Sequence, residues 1–579
     1  MPPQPRIPQG QKQLSAFKRS QDSVAEIQKN LGTGFGLHQQ GKLDEAQFYY
    51  EAVLKADSKN FDALHLLGVI AHQRQNHATA IELLDRAIQQ NPRSALAHLN
   101  RGNTLKEMGN LQQAIANYEQ AIAIHPGYAE AYVNLGIALQ ESQQSDRALT
   151  CYRKAIDLKP DFAEAYFALG NALQDHGQTD AAIVSLQEAT RLRPGFVAAY
   201  CNLGNLLKDA GRSDEALAVY AEAIRLQPDF AVAHCNLGNV QKEKQQFQSA
   251  IASYARATTL NPDFAEAHWN RSLVHLLLGE FEAAWPLFEW RWKAKKNNIS
   301  LPDFRKPLWL GEQALTGKTI LICWEQGFGD TIQFCRYVPL VQALGAKVLL
   351  VVPPSLVQLL KTLHGVDQVL GPDEPVSDFD YYCPLMSLPL AFHTTLSTIP
   401  DPSAYLHTDE KRMQFWAAKF PQVDKKRVGI VWRGRGTNKR ASLPLTELIE
   451  YLPKHLDYVC MQKDVTYAER DILEKQNMYC FDQEIADFSD TAALCRLMDV
   501  VISIDTSAAH LAGAMGKPTW VLLPHIPDWR WLLDRSDSPW YPSMRLFRQE
   551  EMGAWHPVLQ RVNHALTKLF PAGGDSIFP

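Results

Sequence analysis

The sequence predicts an α-solenoid of 34-residue helix hairpins over residues 27–298, followed by an α/β region of two parallel units, 318–415 and 425–570. Three observations predict it. Prolines at 92, 126, 160, 194, 228 and 262 and glycines at 34, 68, 102, 136, 170, 204 and 238 share one 34-residue period. From Lys318 onward, short apolar runs alternate with helical stretches. All 13 tryptophans lie at or after Trp269, so composition changes where the period fades.

Residues 1–26 are rich in Pro and Gln, lack the apolar middle of a secretory signal, and are expected to be a disordered tail. A formal net charge of −5 gives no electrostatic case for nucleic acid, and no apolar run is long enough to span a membrane. The nine cysteines are odd in number and scattered, without a C-x-x-C pair. A disulfide framework or zinc site is therefore not expected, and a cytoplasmic location is.

Within the periodic half, an alanine stands twelve residues after each glycine (Ala46 to Ala250), and a Tyr or Leu four residues later. Small positions let two helices approach closely, the bulky one fills the groove between them, and proline ends the second helix. This pattern resembles the tetratricopeptide repeat family over seven full repeats. An eighth, degenerate repeat starts near Ala265 and keeps Ala284 and Phe288, but has Ser272 for the glycine and Lys296 for the proline.

Such a stack offers a long groove suited to an extended peptide. Two residues before the repeat glycine stand Asn100, Asn134, Asn202, Asn236 and Asn270, with Ala168 breaking the row; Asn103, Asn171, Asn205 and Asn239 follow the glycine. A carboxamide both donates and accepts, so the row can pair with a peptide backbone. It resembles the asparagine ladder of protein O-GlcNAc transferases, and N-L-G-N is also common in tetratricopeptide repeats generally. Both readings stay open. The segment 281–313, with Trp285, Trp290, Trp292 and Trp309, reads as a packed join to the next domain, and 299–317 as a linker.

In the second half, KTILICW (318–324), AKVLLVV (346–352), DQVLG and FDYYCP read as strands of a first Rossmann-like unit. RVGIVW (427–432), YVCMQ (458–462), VVISID (500–505) and PTWVLLP (518–524) supply a second. Two such units imply a cleft at the carboxyl ends of the strands. The motifs W-E-Q-G-F-G-D, W-R-G and D-T-S-A-A-H-L-A-G-A-M-G-K-P resemble the heptosyltransferase-like glycosyltransferases, whose fold is GT-B, over about 315–565. The first unit, about 100 residues, is short for that family.

Asp505, Thr506, Ser507, Ala508, Ala509 and His510 follow a strand and open a helix, so free N–H groups and the positive dipole end suit the pyrophosphate of a nucleotide sugar. The resemblance implies that Asp505 binds donor-sugar hydroxyls; His510 is read either as a phosphate donor or as structural. Gly327 and Gly329 permit a tight turn, and the resemblance makes Asp330 the general base, while an aspartate there is equally suited to cap the helix. Glu325 is a weaker base candidate. Arg433, Lys439 and Arg440 lie in a glycine-rich basic loop suited to a diphosphate leaving group, with Gln462 and Lys463 at the next strand end. Trp529, Trp531 and Trp540 read as core packing, and Asp378-Phe-Asp380 as structural, so no metal and no cofactor is expected.

The resulting expectation is a metal-independent, inverting glycosyltransferase that moves a sugar from a nucleotide-diphosphate donor to a protein or peptide acceptor held by the repeat groove. The alternative is a non-catalytic interaction scaffold with a degenerate transferase-like domain.

Overall fold

The computed structural model describes residues 9–294, 299, 301–400, 404–421, 425–434 and 443–572. The chain divides into two compact units, Met1–Asn236 and Leu237–Pro579.

Among the described residues, the regular elements of the first unit are all helices. Its first helix spans Gln9–Gln39, so the lead-in expected to be disordered over 1–26 is helical from Gln9. The physical reason is local: after Pro8 the chain is rich in Gln, with Lys, Arg and Ala, which lose little rotamer freedom in a helix. Leu43–Ala56 completes the first hairpin, and helix pairs then follow at the predicted period, from Phe61–Gln73 with His77–Gln90 to Val197–Asp209 with Ser213–Leu226. Each repeat proline stands just past a helix whose capping N–H closes the last turn, as Asn91 N–H does onto Ala87 O ahead of Pro92. The repeat glycines are set by packing. A Cβ on Gly102 would lie 2.6 Å from Cε1 of Tyr118, a ring with no exposed surface.

A second period lies at the turn inside each hairpin. Gly41, Gly109, Gly177, Gly211 and Gly279 have φ between 71° and 78°, and Gln75, Gln143 and Gln245 occupy the same left-handed conformation at the intervening positions. That turn ends the first helix of each repeat.

The second unit opens within the helix Ala231–Glu243, passes through the last repeat helices, Phe247–Leu260, Ala265–Leu277 and Phe281–Phe288, and continues into two wholly parallel sheets. The first contains β1 (Thr319–Cys323), β2 (Lys347–Val351), β3 (Gln368–Leu370) and β4 (Tyr381–Pro384), in the order β3-β2-β1-β4. Ile322 on β1 faces Leu350 on one side and Cys383 on the other. The second contains β5 (Arg427–Val431), β6 (Asp457–Cys460), β7 (Tyr479–Cys480), β8 (Val500–Ile504), β9 (Thr519–Leu523) and β10 (Met544–Arg548), in the order β10-β9-β8-β5-β6-β7. Eight of these strands coincide with the predicted runs. The two at the edges, β7 and β10, were not legible, being a two-residue pair and a run broken by Arg545.

Two boundaries differ from expectation. Residues 301–317 are no free linker: Trp309 is buried, and its N–H donates to Tyr382 O (2.8 Å), placing the segment beside β4. The helix Glu410–Ala417, assigned to the first α/β unit, packs on the second, because Arg412 pairs with Asp487 (2.7 Å) and Asp490 (2.9 Å).

The tryptophan-rich join is a packed core. Trp285 Nε1–H donates to Thr394 O (2.8 Å), and its ring meets Trp529 edge-on. Trp290 instead stacks on His268 within the last repeat, and Trp292 packs under Arg291. Arg291, wholly buried, binds Glu325 through Nε (2.7 Å), Glu289 through Nη1 (2.6 Å) and Ser387 Oγ through Nη2 (2.8 Å).

Candidate functional site

The carboxyl ends of β1, β2, β5, β6 and β8 open onto one cavity of about 820 Å³ in the second unit. Loops leave a parallel sheet at that end, and helix N-termini point back at it, so both sheets deliver polar backbone to the same space. Of the residues anticipated as a site, Gly327, Gly329, Arg433, Gln462, Lys463, Asp505, Thr506, Ser507 and Ala508 line it. Lys439 and Arg440 lie outside the described residues.

At the second sheet, the helix Ser507–Ala514 begins at the cavity. Its N-cap residue Thr506 is extended (φ −146°, ψ 167°) and makes no side-chain cap; its hydroxyl bonds Ser503 Oγ instead (2.9 Å). The N–H groups of the first turn are therefore left to the cavity, which is an anion site in form. Ala509 and His510 are buried beneath it. His510 as a phosphate donor is corrected: its ring stacks on Trp531, Nδ1 bonds Tyr541 OH (3.0 Å), and burial with nearby Arg530 and Arg336 holds its pKa well below the usual range. It is a neutral, packed histidine.

Asp330 is in the first turn of the helix Phe328–Phe334 but does not line the cavity. Its Oδ2 accepts from Gly327 N–H (2.9 Å), so the capping role is realised. Its Oδ1 is ion-paired with Arg530. Arg530 is buried and also donates to Asp528 Oδ1 (2.8 Å) and Gln333 Oε1 (2.8 Å). Burial raises the Asp330 pKa, Arg530 opposes the rise and Asp528 adds to it. Asp505, with 28% of its side chain exposed, is raised to about 7 by burial and then by Asp528. Asp330 and Asp528 thus share one guanidinium, whose charge also acts on Asp505. Sequence reasoning missed Arg530, which lies in an aromatic segment that reads as packing.

Gly329 explains how the two sheets' helices meet. A Cβ there would fall 2.9 Å from His510 Cδ2. Glu325, the weaker base candidate, is spent on Arg291 and on Met386 N–H (2.9 Å). Arg433 holds its own loop: its Nη2 donates to Asp464 O (2.8 Å) and to Glu469 Oε2 (3.1 Å). Burial pushes Glu469 up, but hydrogen bonds from Trp432 and Thr466 and the Arg433 charge outweigh it, leaving the carboxyl below its usual range. Gln462 accepts Arg433 N–H (3.1 Å), and Lys463 Nζ reaches Ala486 O (3.2 Å). The apolar wall includes Phe328 edge-on to Phe488, with Met461 and Ile485, none of which a motif announced. Trp529, Trp531 and Trp540 are buried core residues, and Asp378 and Asp380 pair with Lys306 (2.8 Å) and Lys318 (3.1 Å), as their structural readings require.

In the repeats, the asparagines are half-buried and partly used by the solenoid itself. Asn134 Nδ2 donates to Asn103 Oδ1 (3.1 Å), Asn202 to Asn171 (2.8 Å) and Asn270 to Asn239 (3.1 Å). Tyr118, Tyr220 and Tyr254 hydroxyls donate to Asn103, Asn205 and Asn239. Asn100 pairs with His65 Nε2 (2.8 Å), and Asn236 lies half-buried on the helix Ala231–Glu243. In the first unit a cavity of about 610 Å³ takes in Asn134 together with Glu130, Lys159, Phe162, Glu164 and Arg193. Lys159 lies over the Phe162 ring (4.5 Å) and bonds Glu130 (3.1 Å).

Residues 37–95, 93–161 and 133–195 match models described as tetratricopeptide repeat, and 204–245 and 242–279 one described as TPR repeat. The chain is 28% identical over 327 residues to Protein FlbA of Caulobacter vibrioides, covering 51% of this chain and 54% of that protein. It thus spans about half the length of the curated relative it matches. Among solved structures it is similar to YrrB, described as a TPR protein with an unusual peptide-binding site (26% identity, 32% of this chain, 96% of that one, TM-score 0.29). It is also similar to MamA (30% identity, 29% of this chain, 92% of that one, TM-score 0.27). The chain carries tetratricopeptide repeats, followed by a region of parallel sheets.

Proposed function

We propose that the second unit is a glycosyltransferase of GT-B-like architecture, and that the repeats bind the protein or peptide acceptor. One observation carries the reading: nine residues singled out for donor binding, drawn from both sheets, line a single cavity. The uncapped first turn at Ser507 and Ala508 receives the diphosphate of a nucleotide sugar, aided by Lys463. Asp505, whose carboxyl is pushed up by burial, hydrogen-bonds donor-sugar hydroxyls. Asp330 takes the acceptor proton as in-line displacement inverts the anomeric carbon, with Arg530 holding its carboxylate. The asparagine row contributes the amide hydrogen-bonding capacity that the tyrosines and neighbouring asparagines leave unused.

The test is incubation of the protein with a panel of nucleotide sugars and peptides, following nucleoside diphosphate release. Turnover with one donor is expected, falling about 10²- to 10⁴-fold in Asp330→Ala. Absence of both binding and turnover across the panel would overturn the enzyme; full turnover in Asp330→Ala would overturn the base. One observation favours a second reading, a non-catalytic scaffold: both oxygens of Asp330 are already engaged, by Gly327 N–H and Arg530. In that case peptide binding persists in Asp330→Ala and no donor is consumed.

A further inference from the structure

We propose that His72, His77 and Glu107, in the repeat unit, form a transition-metal site whose donor set fits Zn²⁺. His72 is in the last turn of the helix Phe61–Gln73, His77 is the first residue of His77–Gln90, and Glu107 is the last of Ala95–Glu107. One ligand atom from each lies within 4.8 Å of the other two. His72 Nε2 is 3.6 Å from Glu107 Oε1, and His77 Nδ1 is 3.9 Å from Glu107 Oε2.

The protonation pattern points to a cation at their centre. Thr104 Oγ1 donates its proton to Asn100 O (3.0 Å) and therefore accepts from His72 Nδ1–H (3.2 Å). In the neutral ring this leaves the Nε2 lone pair toward Glu107, the outer-shell arrangement typical of metal-bound histidines. His77 Nδ1 is a buried nitrogen with no hydrogen-bond partner among the described residues. Two nitrogens and a carboxylate thus converge with nothing of positive charge between them.

The pairing of positions 72 and 107 belongs to repeat packing, since His38 bonds Gln73 (3.1 Å) and Gln140 bonds Asp175 (2.6 Å) in the same way. What is particular is His77: the equivalent positions hold Leu43, Leu111, Ser145, Thr179, Ser213, Phe247 and Phe281. Tetrahedral Zn²⁺ with bonds of about 2.0–2.1 Å separates its ligand atoms by about 3.3 Å, so small side-chain rotations close the site. Two histidines and a carboxylate leave a fourth position for water or an incoming side chain. The metal would staple the hairpin 61–90 to the following helix. No metal was expected from the sequence because that expectation rested on cysteine spacing and on the Asp378-Phe-Asp380 reading, whereas these donors come from three helices.

The experiment titrates the full-length, chelator-treated, reduced protein with Co²⁺, then displaces it with Zn²⁺. One equivalent is expected, giving visible d–d bands without a thiolate charge-transfer band, with binding at least about tenfold weaker in His77→Leu and in Glu107→Gln at unchanged helicity. His77→Leu takes the side chain that two other repeats already carry, so a folded variant is expected. Absence of a bound equivalent, a thiolate band on that equivalent, or equal affinity in both variants would overturn the site.

Discussion

Replacing Arg291 by Met tests what holds the last repeat to the first sheet. Arg291 has no exposed surface and Glu325 retains 3%, so the substitution keeps most of the volume but leaves a buried carboxylate without its partner. Breaking a buried pair from one side costs about 3–5 kcal/mol. With a urea m-value of about 3 kcal/mol/M or more for a unit of this size, the unfolding midpoint falls by about 1 M. The reporter is built in. All 13 tryptophans lie in Leu237–Pro579, so tryptophan fluorescence follows that unit alone. The deficit also carries a pH signature. Burial pushes Glu325 up, and Arg291 is the main group pulling it back. Without Arg291 the folded pKa rises further above the unfolded value, so the stability is fully present below the unfolded pKa and lost as pH rises. The variant should therefore approach the parent near pH 4–5 and diverge toward pH 8. An unchanged fluorescence midpoint, or a deficit independent of pH, would refute the reasoning.

Two further outcomes follow from the cavity. Asp505 is raised to about 7, so its contribution is intact below about pH 4 and lost as pH rises toward 7; three units bound this at about 4 kcal/mol, reduced by the water that reaches its partly exposed side chain. Asp505→Asn should flatten the fall in fluorescence midpoint between pH 4.5 and 7.5, and an undiminished fall would exclude Asp505 as its source. Gly329→Ala drives a Cβ to 2.9 Å from His510, which is held by Trp531 and Tyr541, and should cost about 1–3 kcal/mol. Gly434→Ala, whose Cβ has nothing nearer than 3.7 Å, is the control; equal urea midpoints for the two would show that Gly329 is not set by that contact.

What the sequence made legible is what repeats or alternates. A 34-residue period fixes helix after helix, because each hairpin meets the same neighbours, and apolar runs such as Ile320–Cys323 and Val500–Ile504 mark strands buried on both faces. The cavity residues were legible for a related reason: glycine and small polar residues stand at the strand ends where the following helices begin. The misses share a different cause. Arg530 and Arg291 act through partners about 200 and 34 positions away, and nothing local distinguishes a buried arginine from a solvated one. Gln75, Gln143 and Gln245 hide the turn period by adopting a conformation that glycine alone advertises.

The electrostatics of the cluster decide how its mutants should be read. Asp330 and Asp528 both contact Arg530, and Asp330 is itself among the groups that raise Asp505. Deleting the charge at 330 therefore does two things at once: it removes the proposed base and lowers the pKa of Asp505. The two effects separate along a pH profile. Loss of a base lowers turnover at every pH at which the parent is active, whereas a shifted Asp505 moves the pH at which the donor is bound, leaving its plateau in place. Asp330→Asn and Asp330→Ala remove the same charge, so a displaced binding profile common to both belongs to Asp505. Only the fall in turnover that remains at the plateau, with donor saturating, measures what Asp330 does to the acceptor.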